Sequence, residues 1–200
     1  MKIGLYFGTF NPVHNGHLAI AGYMARKTDL DEVWFIVSPQ NPLKKNDELL
    51  NDKARLQLVK LAVKKHAKLK ANSVEFELTK PSYTFNTLLF LEKKYPNKKF
   101  ILIIGEDNLR NFHLWKNHQK ILSNFEIYVY PRILANSERV QKLIRVKHRN
   151  IKKFSVPLLN ISATEIRQKI STGKDVLELL PEPVYKAIQQ KKYYIERKSF

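Results

Sequence analysis

Two histidines, His14 and His17, lie three residues apart directly after the first apolar stretch of the chain. On a helix, residues at this spacing share a face, so both imidazoles can point toward one ligand. The apolar run 3–7 is typical of a buried strand, Asn11-Pro12 marks a turn, and Asn15 is a candidate N-cap for a following helix. A helix N-terminus carries unpaired N–H groups and a partial positive charge. This stretch therefore predicts a phosphate-binding site.

Two other interpretations of the histidines are possible. A histidine near a helix start is commonly an ordinary surface residue, and a pair of histidines can form half of a metal site. The chain has no cysteine, and residues 8–17 contain no aspartate or glutamate. The sequence therefore disfavours a protein-held metal ion, and no metal-ligating residues are predicted.

A second polar group of this kind lies near the end of the chain. Ser162 with Glu165 three residues later forms a capping box, which predicts the start of a helix. Thr164 and Arg167 place a hydroxyl and a guanidinium within the first turns of the same helix. Taken alone, the pattern predicts only a capped helix.

Apolar periodicity divides the chain into alternating strands and helices. Short apolar runs predict strands at 3–7, 33–37, 100–104, 125–130 and 155–159. Apolar residues that alternate with polar ones predict a half-exposed strand at 74–78. Apolar residues at helical spacing predict helices that follow Asn15 and Asp52 and that cover about 84–95, 107–112, 115–122, 137–146, 162–171 and 183–194.

The alternation predicts an α/β fold with a doubly wound, mostly parallel sheet covered by helices on both faces. We expect one domain over residues 1–200, in which about 161–200 form a small helical C-terminal part. Ligands of such sheets bind outside the carboxyl ends of the strands, at a topological switch point. The chemistry is therefore expected in the loops at 8–17, 38–47, 79–87, 105–115 and 131–135.

The charge of the chain is strongly positive. Its 36 Lys and Arg against 18 Asp and Glu give a formal charge of +18, and such a field attracts polyanions. The basic residues are scattered in pairs such as Lys64-Lys65 and Lys98-Lys99, whereas a nucleic-acid-binding arm is commonly one concentrated block. We expect no specific nucleic-acid partner.

Composition also bears on the compartment. No apolar run approaches the roughly 20 residues of a membrane span, and no secretory signal precedes the first strand. The absence of cysteine fits a reducing cytoplasm. We expect a cytoplasmic protein without a membrane partner, and the sequence leaves a homo-oligomer open.

The early histidine stretch resembles the G-x-F-x-P-x-H-x-G-H signature of the nucleotidyltransferase superfamily that transfers AMP or CMP to a phosphate. Ile161, Ser162, Thr164 and Arg167 likewise fill the late I-S-x-T-x-x-R motif of that superfamily. Over essentially the whole chain, the nearest resemblance is to the bacterial nicotinate-nucleotide adenylyltransferases. It implies a Rossmann-like nucleotidyltransferase fold.

Further segments carry the resemblance. Asn41-Pro-Leu-Lys44 is similar to a P-P-H-K loop, with Leu43 in place of the usual His, and Asn11 stands where many members have Asp. Ser82–Leu88 is similar to S-Y-T-x-x-T-L, and Ile104–Asp107 followed by Trp115 is similar to a G-x-D…W segment. Arg132 matches an Arg that follows the fifth strand.

The resemblance implies a role for each matching residue. His14, His17, Lys44 and Arg167 are expected to be catalytic, because they would bind the triphosphate as its charge changes. The expected ATP-binding residues are Gly8, Thr9, Phe10, His14, His17, Gly105, Asp107, Ile161, Ser162, Thr164 and Arg167. The expected residues of the acceptor site are Lys44, Tyr83, Thr84, Thr87, Asp107, Trp115 and Arg132.

The implied reaction joins ATP and nicotinate mononucleotide into deamido-NAD and pyrophosphate, as part of NAD biosynthesis, with Mg²⁺ carried by the ATP phosphates. Two alternatives remain open at this point. One is a related nucleotidyltransferase with pantetheine phosphate, a flavin mononucleotide or a sugar phosphate as acceptor. The other is a basic RNA-binding protein that uses the same fold without catalysis.

Overall fold

A computed structural model describes residues 1–39, 49–131, 148–157 and 159–195 of the chain. At its centre is a six-stranded sheet in the order β3-β2-β1-β4-β5-β6, and each neighbouring pair is parallel. The strands are β1 Lys2–Gly8, β2 Glu32–Val37, β3 Leu69–Asn72, β4 Lys99–Gly105, β5 Glu126–Tyr130 and β6 Ile151–Lys153. The parallel sheet predicted from the sequence is confirmed.

The described helices cover both faces of the sheet. They are α1 Asn15–Lys27, α2 Asp52–Val63, α3 Thr84–Lys94, α4 Glu106–Arg110, α5 His118–Asn124, α6 Ala163–Ser171 and α7 Glu182–Lys191. The helices pack on the sheet through two buried apolar clusters. One cluster holds residues of α1, α2, α6 and α7, and the other holds residues of α3, α4 and α5. Burial on both faces explains why β1 and β4 are nearly continuous apolar runs.

The strand order places a topological switch point between β1 and β4. From β1 the chain moves outward through β2 and β3, and it then returns to lay β4 against the other side of β1. Both strands end in glycine, at Gly8 and Gly105. The two loops that follow these glycines therefore diverge from adjacent points at one edge of the sheet, where doubly wound folds bind their ligands.

The C-terminal helices belong to the same core as the first half of the chain. Ile166 of α6 and Ile188 of α7 are buried in the cluster that also contains Met24 of α1 and Leu58 of α2. The division of residues 161–200 as a helical part of a single domain remains a prediction, and this shared core supports it.

The strand predicted at 74–78 is wrong. Val74–Phe76 is a single 3-10 turn, and β3 lies just before it at Leu69–Asn72. The Asn72 side chain accepts the Val74 N–H at 2.8 Å, and the Phe76 N–H bonds back to the Ser73 carbonyl. These local hydrogen bonds use the backbone groups that a strand would have given to a neighbour.

The last predicted strand, at 155–159, is also misplaced. β6 covers Ile151–Lys153, and its contact with β5 ends where the Phe154 N–H bonds to the Val129 carbonyl. This edge strand is too polar for an apolar pattern to detect, and its lysines are a usual feature of protected sheet edges. The helix predicted at 137–146 lies outside the described residues.

The other predicted elements are found, with shifts of a few residues at their ends. The first helix begins one residue earlier than expected, because His14 is its N-cap. Asn15, the predicted cap, instead donates its side-chain amide to the Glu178 carbonyl at 2.9 Å. Among the described helices, none has the length and apolar character needed to cross a membrane.

Asp29, in the turn between α1 and β2, links distant parts of the sheet. Its carboxylate accepts hydrogen bonds from the Lys2 ammonium at the start of β1 and from the Tyr128 hydroxyl of β5. These donors, Lys2 first, lower the pKa of Asp29 to about 2.

We predict that Asp29→Asn lowers the free energy of unfolding at pH 7 by up to about 1 kcal/mol, the range for a half-exposed ion pair. A carboxyl whose pKa is lowered by folding stabilises the protein above its ordinary titration range and loses that effect as pH falls. The difference should therefore shrink between about pH 4 and pH 2. Chemical denaturation of both proteins over this range measures it, and a difference that stays constant down to pH 2 would contradict the assignment.

Candidate active site

The two histidines lie together at the N-terminus of α1. Their rings are stacked with centroids 3.7 Å apart and planes inclined by 28°. The backbone N–H of His14 donates to Nδ1 of His17 at 3.3 Å, which fixes the orientation of the His17 ring. His14 is buried and His17 is half-buried. The two imidazoles thus lie side by side at the helix N-terminus, and their role in binding phosphate stays a prediction.

Phe10 packs against the His17 ring of this pair. The residue has a positive φ of 47°, which is uncommon for an aromatic residue, and its side chain is 2% exposed. Its ring meets the His17 ring edge-on, at a centroid distance of 5.1 Å. A Cβ atom on Gly8 would lie 2.9 Å from the same ring, so the absence of a side chain there leaves room for Phe10. Phe10 therefore positions His17, and its ring is not itself accessible to a ligand.

The late motif comes to the same loop. Nη1 of Arg167, in α6, donates to the backbone carbonyl of Asn11 at 3.0 Å. A Cβ atom built on Gly16 would lie 3.0 Å from Nδ1 of His14 and 3.7 Å from Cβ of Ile161. The two motifs, separated by about 150 residues in the sequence, are thus in contact in the fold.

The N-terminus of α6 carries the remaining polar groups of that motif. Ser162 is the N-cap, and its hydroxyl accepts the Glu165 N–H at 3.5 Å. Ser162 and Thr164 are exposed, so their hydroxyls can be reached from solvent. The predicted capping residue is confirmed.

At the end of β4, Gly105 is closely surrounded. A Cβ atom on Gly105 would lie 2.4 Å from Oδ1 of Asp107 and 3.2 Å from the Tyr130 ring. Only glycine lets the Asp107 carboxylate fold back over the end of the strand. The hydroxyl of Tyr130 lies 3.4 Å from that of Tyr6, so a buried polar contact links β5 to β1 beside Gly105.

The two segments expected to bind an acceptor also meet. Nζ of Lys116 lies 4.4 Å from the centroid of the Tyr83 ring, across the gap between α3 and α5. Trp115 is half-buried, and its ring packs against Phe112 at a centroid distance of 5.4 Å. One side of the Trp115 ring is thus supported by the core, in an arrangement that suits stacking with a planar ligand.

Beneath the Tyr83 segment lies a buried carboxyl group. Glu75 is 2% exposed, and the fully buried Thr87 donates its hydroxyl to Oε1 of Glu75 at 2.8 Å. Ser38 and Ser82 also hydrogen-bond to this carboxyl group. Burial raises the pKa of Glu75, and these three hydrogen bonds oppose that shift. Thr87 thus supports the segment from its inner side, whereas Thr84 and Tyr83 are half-buried at its surface.

The sequence patterns did not identify Glu75 or Arg55 as buried. Glu75 lies in the predicted strand at 74–78, where the alternation places it on the exposed side. Arg55 is 0% exposed, and its guanidinium donates to the carbonyls of Thr9, Ser38 and Pro39. A charged residue on the apolar side of α2 was the available signal, because helix periodicity places Arg55 beside Leu58 and Val59.

Two of the predicted site residues, Lys44 and Arg132, lie outside the described residues, so their roles stay predictions. Within the described residues, no group of three or more His, Asp or Glu side chains is arranged to hold a metal ion.

Comparison with known proteins adds to this geometry. Residues 5–169 match the model of the cytidylyltransferase-like family. A relative in Flavobacterium psychrophilum, named "Probable nicotinate-nucleotide adenylyltransferase", is 50% identical over 97% of this chain and 99% of its own. A relative of the same name in Cytophaga hutchinsonii is 47% identical over 97% of this chain and 98% of its own.

The chain therefore belongs to the cytidylyltransferase-like family, and both of these relatives carry the name "Probable nicotinate-nucleotide adenylyltransferase". A solved structure of the Plasmodium falciparum nicotinic acid mononucleotide adenylyltransferase, complexed with NaAD, superposes with a TM-score of 0.78. It is 16% identical and covers 96% of this chain and 97% of that one, so this likeness supports the fold.

We predict that Glu75→Ala destabilises the protein by about 1–3 kcal/mol, because it leaves the buried hydroxyls of Ser82 and Thr87 without their acceptor. Glu75→Gln keeps one acceptor oxygen and should cost less. Because burial raises the pKa of Glu75, the wild type gains stability relative to Glu75→Gln as pH falls and the carboxylate is neutralised.

Urea unfolding at pH 7 and pH 5 measures both effects. Glu77→Ala is the matched control, since Glu77 is exposed and forms only a surface ion pair with Lys94 at 3.3 Å. Equal losses for the two alanine variants would show that the buried carboxyl group does not organise the segment.

Proposed function

We propose that this chain catalyses transfer of AMP from ATP to nicotinate mononucleotide, which yields deamido-NAD and pyrophosphate. The observation that carries the proposal is the meeting of two groups of polar side chains at the carboxyl end of β1, both of a kind that can donate hydrogen bonds to phosphate. One is the stacked pair of His14 and His17, and the other is Arg167, whose guanidinium is held by the Asn11 carbonyl. Relatives of nearly full coverage named nicotinate-nucleotide adenylyltransferase support the choice of substrates.

In this proposal, the two groups hold the triphosphate from opposite sides. His14 and His17 donate to the oxygens around the α-phosphorus, where negative charge grows in the transition state. The Arg167 guanidinium binds the outer phosphates, and the exposed hydroxyls of Ser162 and Thr164 lie at the start of the same helix. Lys44 assists them.

The reaction is a displacement at phosphorus. An oxygen of the acceptor's 5′-phosphate attacks the α-phosphorus of ATP, the bond to the β-phosphate oxygen breaks, and pyrophosphate leaves with the electron pair. The attacking phosphate is already ionised at neutral pH, so no general base is required. Catalysis then consists of positioning and charge stabilisation, which rigid donors at a helix N-terminus can provide.

The acceptor is assigned to the region where Tyr83 and Lys116 meet. Trp115 stacks on the pyridine ring of the acceptor. The α3 N-terminus at Thr84 and the nearby ammonium of Lys116 favour the carboxylate on that ring. Asp107 binds a ribose hydroxyl. Arg132 is likewise assigned to the acceptor site. The adenine side of ATP is assigned to the end of β4 at Gly105, where the lack of a side chain leaves room for the Asp107 carboxylate.

The nucleotide substrate is MgATP, and the ion is bound through the phosphates of ATP. A magnesium ion keeps several waters and uses substrate oxygens, so it needs few protein ligands. We place the protein in the cytoplasm, supported by its lack of cysteine.

Pyrophosphate release in the presence of MgATP and a panel of phosphate acceptors tests the proposed function. The proposed function is disproved if nicotinate mononucleotide gives no more product than pantetheine phosphate or a flavin mononucleotide.

We predict that His14→Ala and His17→Ala each lower kcat by about 10²–10³-fold, the loss of a donor to a developing negative charge, roughly 3–4 kcal/mol. His66→Ala, at an exposed histidine, is the control and should leave kcat unchanged. Steady-state kinetics together with thermal melts distinguish lost chemistry from lost structure. Near-normal turnover in both variants would rule out the histidine pair as the phosphate site.

We also predict that the acid, nicotinate mononucleotide, exceeds the corresponding amide by about 10²–10³-fold in kcat/KM. A carboxylate needs only donors, and the start of α3 and Lys116 supply donors and positive charge. An amide would turn an NH₂ group toward another donor and leave buried groups unpaired. Parallel kinetics with both mononucleotides decide the point, and values within about tenfold of each other would contradict it.

A further inference from the structure

The chain turns back sharply after its last helix. α7 ends at Lys191, and both Lys192 and Tyr194 then adopt positive φ values, 52° and 65°. Such conformations are unfavourable for residues other than glycine and persist where surrounding contacts hold them. Here the turn directs the Tyr194 side chain away from solvent and toward the loop after β1.

The Tyr194 hydroxyl reaches Asn11. It lies 2.8 Å from Oδ1 of Asn11, although the two residues are 183 positions apart in the sequence. Burial raises the pKa of Tyr194, and Arg167 and Arg55 are the nearby charges that oppose the shift. The hydroxyl thus stays protonated at neutral pH and acts as the donor to the amide oxygen.

Asn11 in turn holds Arg167. Asn11 is 5% exposed, and its side-chain oxygen accepts a second hydrogen bond, from the Leu50 N–H at 3.2 Å. Its backbone carbonyl is the acceptor for Nη1 of Arg167 at 3.0 Å. A displacement of Asn11 would therefore move the guanidinium that we assign to the triphosphate.

We propose that Tyr194 is a positioning residue for the nucleotide side of the site: its hydroxyl fixes Asn11, and Asn11 fixes Arg167. The inference rests on the proposed function, in which Arg167 binds phosphates. It predicts an asymmetric effect, because the contact lies beside the triphosphate groups, whereas the acceptor is assigned to the region of Tyr83 and Trp115.

The test is Tyr194→Phe, which removes the hydroxyl and keeps the ring. The matched control is Tyr193→Phe, which removes a hydroxyl from the adjacent residue of the same turn. We expect the Kd and the KM for MgATP to rise about five- to tenfold in Tyr194→Phe, the effect of one lost hydrogen bond. The KM for nicotinate mononucleotide should change by less than about twofold, the melting temperature should stay near that of the wild type, and Tyr193→Phe should leave all these values unchanged.

Hydrogen exchange in the wild type provides a second measurement. Since coupling between a ligand and a contact is reciprocal, MgATP should slow exchange of the amides of residues 193–195, and nicotinate mononucleotide alone should not. The proposal is overturned if Tyr194→Phe binds MgATP like the wild type, or if both KM values and the melting temperature worsen together, as a purely structural role would cause.

Calorimetric binding of MgATP separates this inference from the proposed function. If Tyr194→Phe weakens MgATP binding but the wild type makes no deamido-NAD, the assigned acceptor is wrong and the role of Tyr194 stands. If the wild type is active and its MgATP affinity does not depend on Tyr194, the proposed function stands and this inference fails.

Discussion

The site depends first on the buried guanidinium of Arg55. A fully buried charge is costly unless each of its N–H groups finds a partner. Arg55 is 0% exposed, pairs with Asp52 at 2.6 Å, and donates to the carbonyls of Thr9 after β1 and of Ser38 and Pro39 after β2. Burial lowers its pKa, and Asp52 opposes this effect. One side chain thus satisfies the carbonyl groups of two loops that have left the sheet and cannot pair within it.

This arrangement gives the loop between β1 and α1 its shape. Arg55 holds the loop at Thr9, Arg167 and Tyr194 hold it at Asn11, and His14 caps the helix that follows. A loop fixed at several points pays little ordering entropy when a nucleotide arrives, and donors that are already oriented stabilise charge most effectively. The polar groups that touch no substrate are therefore as necessary to the geometry as those assigned to it.

The sequence was most informative where one strong local pattern decided the structure. The apolar strands β1 and β4, the capped helix α6, and the histidines three residues apart were all predictable, because their signals lie within a few adjacent residues. The predicted strands at 74–78 and 155–159 failed where side-chain hydrogen bonds or edge position outweighed the apolar pattern. The burial of Arg55 and Glu75 was missed because it depends on partners distant in sequence, such as Thr9 for Arg55.

The path of the chain has a consequence for its synthesis. The loop with the histidines is made before β4, which completes the switch point and begins at Lys99. Tyr194 follows Asn11 by 183 positions. A protein emerges from the ribosome from its N-terminus onward, and contacts between distant segments form last. A growing chain therefore carries the histidines well before the strand and the helices that hold their loop in place. Until β4, α6 and Tyr194 have been made, the loop after β1 lacks the contacts that fix its shape.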